Sequence, residues 1–236
     1  MVRRFFSTKQ LELGNDEPSQ LMLLSGPPNS GKTSIMFQFA YNSANSNNGY
    51  VVFICNKRRL ESKPPYLSQG NDPSSDVYQR IQMKYVDDDE GIKRYFAAFH
   101  LQKEFPVAVV VDDFGEFFDD SKCQERYRNQ RGRDLAIVRT LALCRNSIMH
   151  ANEKSEGQTC KLLLSDTQQG ETPRMLFIYK RWIPSIFTIK GDGSGSFLLN
   201  NSSLTVTGLG KSETAKYSIA LQYLVLEGIT EETETS

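Results

Sequence analysis

The run "GPPNSGKT" (26–33) meets the pattern G-x-x-x-x-G-K-[ST] in full, through Gly26, Gly31, Lys32 and Thr33. Each residue type has a task. The glycines let the backbone curl so that its N–H groups point inward around phosphate oxygens, and a helix starting there adds partial positive charge. Asn29 and Ser30 complete the turn, Lys32 would reach the β- and γ-phosphates, and the Thr33 hydroxyl would ligate Mg²⁺. The pattern therefore implies a nucleoside triphosphate, ATP, held with Mg²⁺. A second run, "TGLGKS" (207–212), also ends in G-K-S, but Thr205 stands where its first glycine should be and it lies between two late strands. It reads as a turn.

A cation bound by a threonine hydroxyl needs a carboxylate from a neighbouring strand end. Asp112, which closes "VAVVV" (107–111), is the natural ligand, with Asp113 as the alternative. Further on, "RYRNQRGR" (126–133) gathers Arg126, Arg128, Arg131 and Arg133 around Tyr127. That mixture suits neutralising the phosphates of single-stranded DNA while stacking on a base. Its bland alternative is a solvated linker offsetting the acidic "EFFDD" before it.

The elements that must position these groups can be read from the pattern. "LMLLS" (21–25) is an apolar strand leading into the glycine-rich turn, and "TSIMFQFAYNSA" after it has helical spacing. "YVVFIC" (50–55), "VAVVVDDF" (107–114) and "CKLLLSD" (160–166) read as strands buried on both faces. "YQRIQMKY" (78–85) reads as a short strand, while "DDEGIKRYFAAFHLQKE" (88–104) and "DLAIVRTLALCRNSIMHANE" (134–153) read as helices. Residues 56–75 read as a long polar loop and 119–133 as a charged linker. "SIFTIKGDGSGSFLL" reads as a hairpin and "KYSIALQYLVLEG" as one further strand. The implied fold is α/β: a single domain with a mostly parallel sheet flanked by helices, edged by antiparallel hairpins. Residues 1–20 read as a flexible leader, 21–228 as the core and 229–236 as a disordered acidic tail.

Composition narrows the function classes. Of 236 residues, 39% are apolar and 24% charged, with 28 basic residues balancing 28 acidic ones. With zero formal charge, contact with nucleic acid must come from a local patch. No apolar run approaches membrane-helix length, so no membrane contact is expected. Cys55, Cys123, Cys144 and Cys160 form no C-x-x-C pair, which points to reduced thiols in cytosol or nucleus.

The order strand, "GPPNSGKT", helix, strand, "VAVVVDDF", long helix, "KLLLSDTQQ" and terminal hairpins resembles the core of RecA-type recombinases. The stretches "LMLLSGPPNSGKTSIMFQFA", "VVFICNKRRLESKPP", "DVYQRIQMKYVDDDEGIKRYFAAFH" and "VVVDDFGEFF" further resemble the recombinase-paralog subunit of the Shu complex, the ATPase-like partner of a SWIM-domain zinc-finger protein. The resemblance covers residues 21 to about 120 well and the remainder in outline. It implies a RecA-like P-loop core, a heterodimer with a SWIM-domain protein, and contact with a RecA-type recombinase or its paralogs. It also implies binding of single-stranded DNA, a part in homologous recombination and DNA repair, and a nuclear location.

The same resemblance assigns residues. Gln168, or Gln169 one position on, falls where RecA-type proteins sense the γ-phosphate, beside solvated glutamines as the alternative. "QRGRDL" within the arginine run falls at the first DNA-binding loop, and "GETPRMLF" is a shortened second loop. The second strand of RecA-type proteins usually ends in a glutamate that polarises water. Here Asn56, Lys57 and Arg58 stand there. A charged lysine accepts no proton, though Lys57 could stabilise the γ-phosphate, and Glu61 is the nearest substitute. Weak or partner-dependent hydrolysis is the expectation. A DNA-stimulated ATPase with another carboxylate is the alternative, and a small-molecule phosphotransferase the more distant one. "FQFA" (37–40) matches the F-x-x-A pattern of recombinase self-association, but Phe37 and Ala40 should face the core of the phosphate helix.

Overall fold

The structure is a computed structural model that describes residues 2–6, 19–119, 121–155, 157–168, 175–201 and 211–233. Among these, ten strands form one sheet: β1 (Leu21–Gly26), β2 (Val51–Cys55), β3 (Leu67–Ser68), β4 (Ile81–Tyr85), β5 (Ala108–Val111), β6 (Lys161–Thr167), β7 (Ser185–Gly191), β8 (Ser196–Asn201), β9 (Lys211–Ala220) and β10 (Tyr223–Thr233). Their order is β3-β10-β9-β8-β7-β1-β6-β5-β2-β4. The stretch from β7 to β4 is parallel throughout, the pairs β7–β8, β8–β9 and β9–β10 are antiparallel, and the two-residue β3 joins β10 in parallel. The mostly parallel sheet with an antiparallel C-terminal edge is the architecture that the pattern implied.

The continuous apolar runs are explained by burial on both faces. Leu21 and Leu23 of β1 face one core with Val109, Val111, Leu162 and Leu164. Met22 and Leu24 face the other, with Phe53, Val110 and Leu163. Helix α1 (Lys32–Asn47) covers the second face. Helices α3 (Asp89–Ala97), α5 (Gln130–Lys154) and α6 (Leu176–Trp182) cover the first, with Ile92, Phe96, Ile137, Leu141, Cys144, Ile148 and Ile178 in its core. Phe37 packs beside Phe53 and Tyr78, and Ala40 is buried, so the F-x-x-A residues do face the core.

Four expectations are corrected. Within the expected leader, Val2, Phe5 and Phe6 are buried, with Phe5 edge-on to Phe187, so apolar contact overrides the polar composition around them. Residues 56–75 are not all loop: Asn56 caps α2 (Lys57–Ser62) by accepting from the Arg59 N–H, and β3 follows. The linker 119–133 holds α4 (Ser121–Tyr127) and the first turn of α5, separated by Arg128 at φ 50° and by Asn129, which caps α5 through the Gly132 N–H. The expected last strand is a hairpin, β9–β10, turning at Leu221 and Gln222, and it carries residues 229–233 into the sheet. Both turn residues have positive φ without being glycine or asparagine, so no turn signal marked it. The described cysteines are all free. Among the described residues no helix is long and apolar enough to cross a membrane.

Candidate nucleotide site

Gly26 ends β1 beside the C-terminal ends of β6 and β7, the place where open parallel sheets bind ligands. The two glycines that bound the turn, Gly26 and Gly31, leave no space for a side chain. A Cβ on Gly26 would lie 2.7 Å from Ile189 Cβ, and one on Gly31, whose φ is +76°, would lie 2.7 Å from Ile219 Cδ1. Ser30 Oγ donates to the Pro27 carbonyl at 2.8 Å, and the buried Tyr217 hydroxyl donates to the Ser30 carbonyl at 2.7 Å. The late strands β7 and β9 therefore shape the cradle from beneath.

Inside it, Lys32 Nζ donates to the carbonyls of Gly26 (3.2 Å) and Pro27 (2.9 Å). Burial lowers its pKa, opposed by the carboxylates of Asp113, Asp112, Asp166 and Glu116. Thr33 Oγ1 donates to Asp112 Oδ2 at 2.8 Å, and Ser165 Oγ donates to Asp112 Oδ1 at 2.8 Å. Burial, then the charge of Asp113, pushes Asp112 up to about 6, against the hydrogen bonds from Thr33 and Ser165 and the charge of Lys32. Asp113, the alternative ligand, accepts from Thr167 Oγ1 at 2.8 Å. A threonine hydroxyl touching a buried carboxylate is a hard-oxygen pair that fits Mg²⁺, which takes one or two protein oxygens and leaves the rest to phosphates and water. No cluster of three or more His, Cys, Asp or Glu able to hold a metal exists among the described residues.

Gln168 is buried at the end of β6, and its backbone N–H donates to the Gly26 carbonyl at 2.8 Å, which places it beside the phosphate loop. Gln169 lies outside the described residues, as do residues 170–174 of the second loop and 207–210 of "TGLGKS". Lys57 is not brought to the cradle. Its side chain is 59% exposed, 3.8 Å from Glu61, and 5.8 Å from the centre of the Tyr85 ring. Glu61 is accordingly turned to Lys57. The charged residues that face the site from this segment are Arg59 of α2 and Lys63 just beyond it. They line a cleft of about 300 Å³ with Thr33, Asp112, Asp113 and Glu116. Arg59 Nη2 bonds Glu116 at 2.5 Å, and Lys63 Nζ donates to Asn29 Oδ1 at 2.9 Å. Helical spacing from the Asn56 cap would have pointed to Arg59 had α2 been legible.

The arginine run leaves the same end of the sheet, at the junction of α4 and α5. Arg128 and Arg131 are exposed, and Arg133 Nη2 donates to Gln130 at 2.6 Å. Arg126 and Tyr127 are engaged within the chain. Arg126 bonds Asp89, a fully buried carboxylate, and Asp88 at 3.6 Å. Tyr127 shares Asp89 with Lys93, whose Nζ donates to Asp89 at 2.7 Å and to the Tyr127 hydroxyl at 2.6 Å. Trp182 is partly buried against the core.

With this geometry in place, comparison with known proteins adds a relative. The chain is similar to the ATPase SWSAP1 of Homo sapiens, with 24% identity over 181 residues, which span 74% of this chain and 73% of that protein. The mostly parallel sheet with its antiparallel C-terminal edge, and the strand, glycine-rich turn and helix at its centre, are consistent with a RecA-like core. No protein-family model matches the chain.

Proposed function

We propose that this chain is an ATP-binding recombinase paralog that holds Mg²⁺–ATP and single-stranded DNA. Together with a SWIM-domain zinc-finger partner in a nuclear, Shu-type complex, it promotes assembly of recombinase filaments in homologous recombination and DNA repair. The observation that carries the nucleotide reading is the Thr33–Asp112 contact of 2.8 Å beside a cradle whose two glycines leave no room for a Cβ. Gly26, Asn29, Ser30, Gly31, Lys32 and Thr33 would hold the phosphates, and Thr33 with Asp112 would hold the cation, which supplies charge neutralisation at the γ-phosphate. The similarity to an ATPase supports the same reading. The DNA and partner assignments rest on the sequence resemblance and on the exposed cations Arg128 and Arg131.

The test is equilibrium binding of Mg²⁺–ATP to the purified chain with Lys32→Ala as control, followed by single-stranded DNA binding across salt concentrations. Binding lost with Lys32, and a salt slope reduced when Arg128 and Arg131 become alanine, support the proposal. A wild-type chain that binds no nucleotide, and does not co-purify with a co-expressed SWIM-domain protein, removes it.

One observation favours a second reading, a DNA-stimulated ATPase with a displaced catalytic carboxylate. Glu116 lines the cleft, whereas Glu61 is turned to Lys57. Turnover that falls with Glu116→Gln and not with Glu61→Gln would establish it.

A further inference from the structure

Arg59 is held across the cleft by two carboxylates. Its Nη2 lies 2.5 Å from Glu116 Oε2 and its Nη1 lies 3.8 Å from Asp113 Oδ2. Both carboxylates belong to the segment that follows Asp112, and all three line one cleft with Thr33. Arg59 is half exposed, and Glu116 and Asp113 are about one-third exposed. Exposed ion pairs of this kind are worth little, so exchange of one anion for another is cheap. A guanidinium has a rigid fork of donors that matches phosphate oxygens, and its charge-assisted bonds to phosphate are stronger than ordinary hydrogen bonds.

We propose that Arg59 selects triphosphate over diphosphate, and that Glu116, with Asp113, restrains it until the γ-phosphate arrives. This rests on the nucleotide reading above. The cradle and Lys32 would grip the phosphates shared by ATP and ADP, whereas Arg59 lines the cleft that holds Thr33 and Asp112, the residues that would bind the cation. The exchange frees Glu116, and because Arg59 sits in α2, whose cap is Asn56, the position of α2 follows the state of the nucleotide. Lys57 cannot do this, because its side chain lies outside the cleft.

The experiment is equilibrium affinity for Mg²⁺ with a non-hydrolysed ATP analogue and, separately, for Mg²⁺–ADP, in four proteins: wild type, Arg59→Ala, Glu116→Gln and the double variant. Arg59→Ala should weaken the triphosphate about tenfold and leave ADP unchanged, the scale of one lost charge-assisted contact. Glu116→Gln should strengthen the triphosphate about threefold, because it releases Arg59 and removes a negative charge. That gain should vanish in the double variant. Arg59→Lys should fall between, since it keeps the charge and loses the fork. Equal effects on both nucleotides, or a weaker triphosphate in Glu116→Gln, overturn the role of Arg59 while leaving nucleotide binding intact. A wild-type chain that binds neither ligand overturns both.

Discussion

The Tyr217 hydroxyl, on β9, donates a 2.7 Å hydrogen bond to the carbonyl of Ser30, in the phosphate loop 187 residues earlier. Both groups are buried, so nothing else can satisfy the carbonyl at once if the hydroxyl is removed.

Tyr217→Phe keeps the ring and deletes that donor. It should cost about 1–2 kcal/mol, the usual penalty for orphaning a buried acceptor. The loss should appear as a lower denaturation midpoint with an unchanged denaturant slope, and nucleotide should bind more weakly. An unchanged midpoint would mean that the loop holds its shape alone.

Gly31→Ala meets two obstacles, a φ of +76° and Ile219 Cδ1 at 2.7 Å. Together these should destabilise by about 1–3 kcal/mol. Ile219→Val removes the Cδ1 atom that the new methyl would strike. The double variant should therefore recover part of the loss, leaving the backbone part, as a double-mutant cycle by denaturant unfolding will show.

Asp112 titrates near 6 in the folded protein because burial penalises its charge. A carboxyl whose folded pKa is raised binds more protons folded than unfolded. Its contribution to stability therefore declines as pH rises from the unfolded value toward 6, and is flat above. Mg²⁺ needs the ionised form, so its affinity should rise through pH 6 and then level. Thermal melts with and without Mg²⁺ across pH 5–8 check both signs, and Asp112→Asn should abolish the Mg²⁺ arm.

Asp89 is fully buried and gathers Lys93, Arg126 and Tyr127. Asp89→Ala should cost about 3 kcal/mol, since it leaves three polar partners without their shared acceptor. Asp89→Asn keeps the shape but removes the nearer of the two carboxylates that hold Arg126, leaving Asp88 at 3.6 Å. It should tighten single-stranded DNA binding and steepen the salt slope by about one phosphate contact, by fluorescence anisotropy at several salt concentrations. Arg126→Ala alone should leave wild-type DNA binding unchanged, whereas Arg128→Ala and Arg131→Ala should weaken it.

Much of this was legible in the chain because it is local. "GPPNSGKT" lies between a strand and a helix, Asp112 closes an unbroken apolar run, and both faces of each central strand are apolar, so core and cradle follow from pattern alone. What was not legible depends on distant neighbours. The cap that starts α2 is an asparagine in a polar, proline-containing stretch, and without α2 the sequence does not show that Arg59 lines the cleft while Lys57 turns to Glu61. The pairing of Arg126 and Tyr127 with Asp89 joins residues 37 and 38 positions apart, and no local signal reports it. The polar composition of the leader conceals three apolar residues, Val2, Phe5 and Phe6, that are buried once a sheet is there to receive them.

The position of β1 has a consequence for synthesis. It begins at Leu21, yet its two partner strands begin at Lys161 and Ser185. At ordinary rates of translation the ribosome delivers them on the order of ten seconds later. Through that interval a strand apolar on both faces waits without partners, and pairing over so long a separation is slow. The cradle, which takes its shape from β1 between β6 and β7, therefore closes only after most of the chain has emerged.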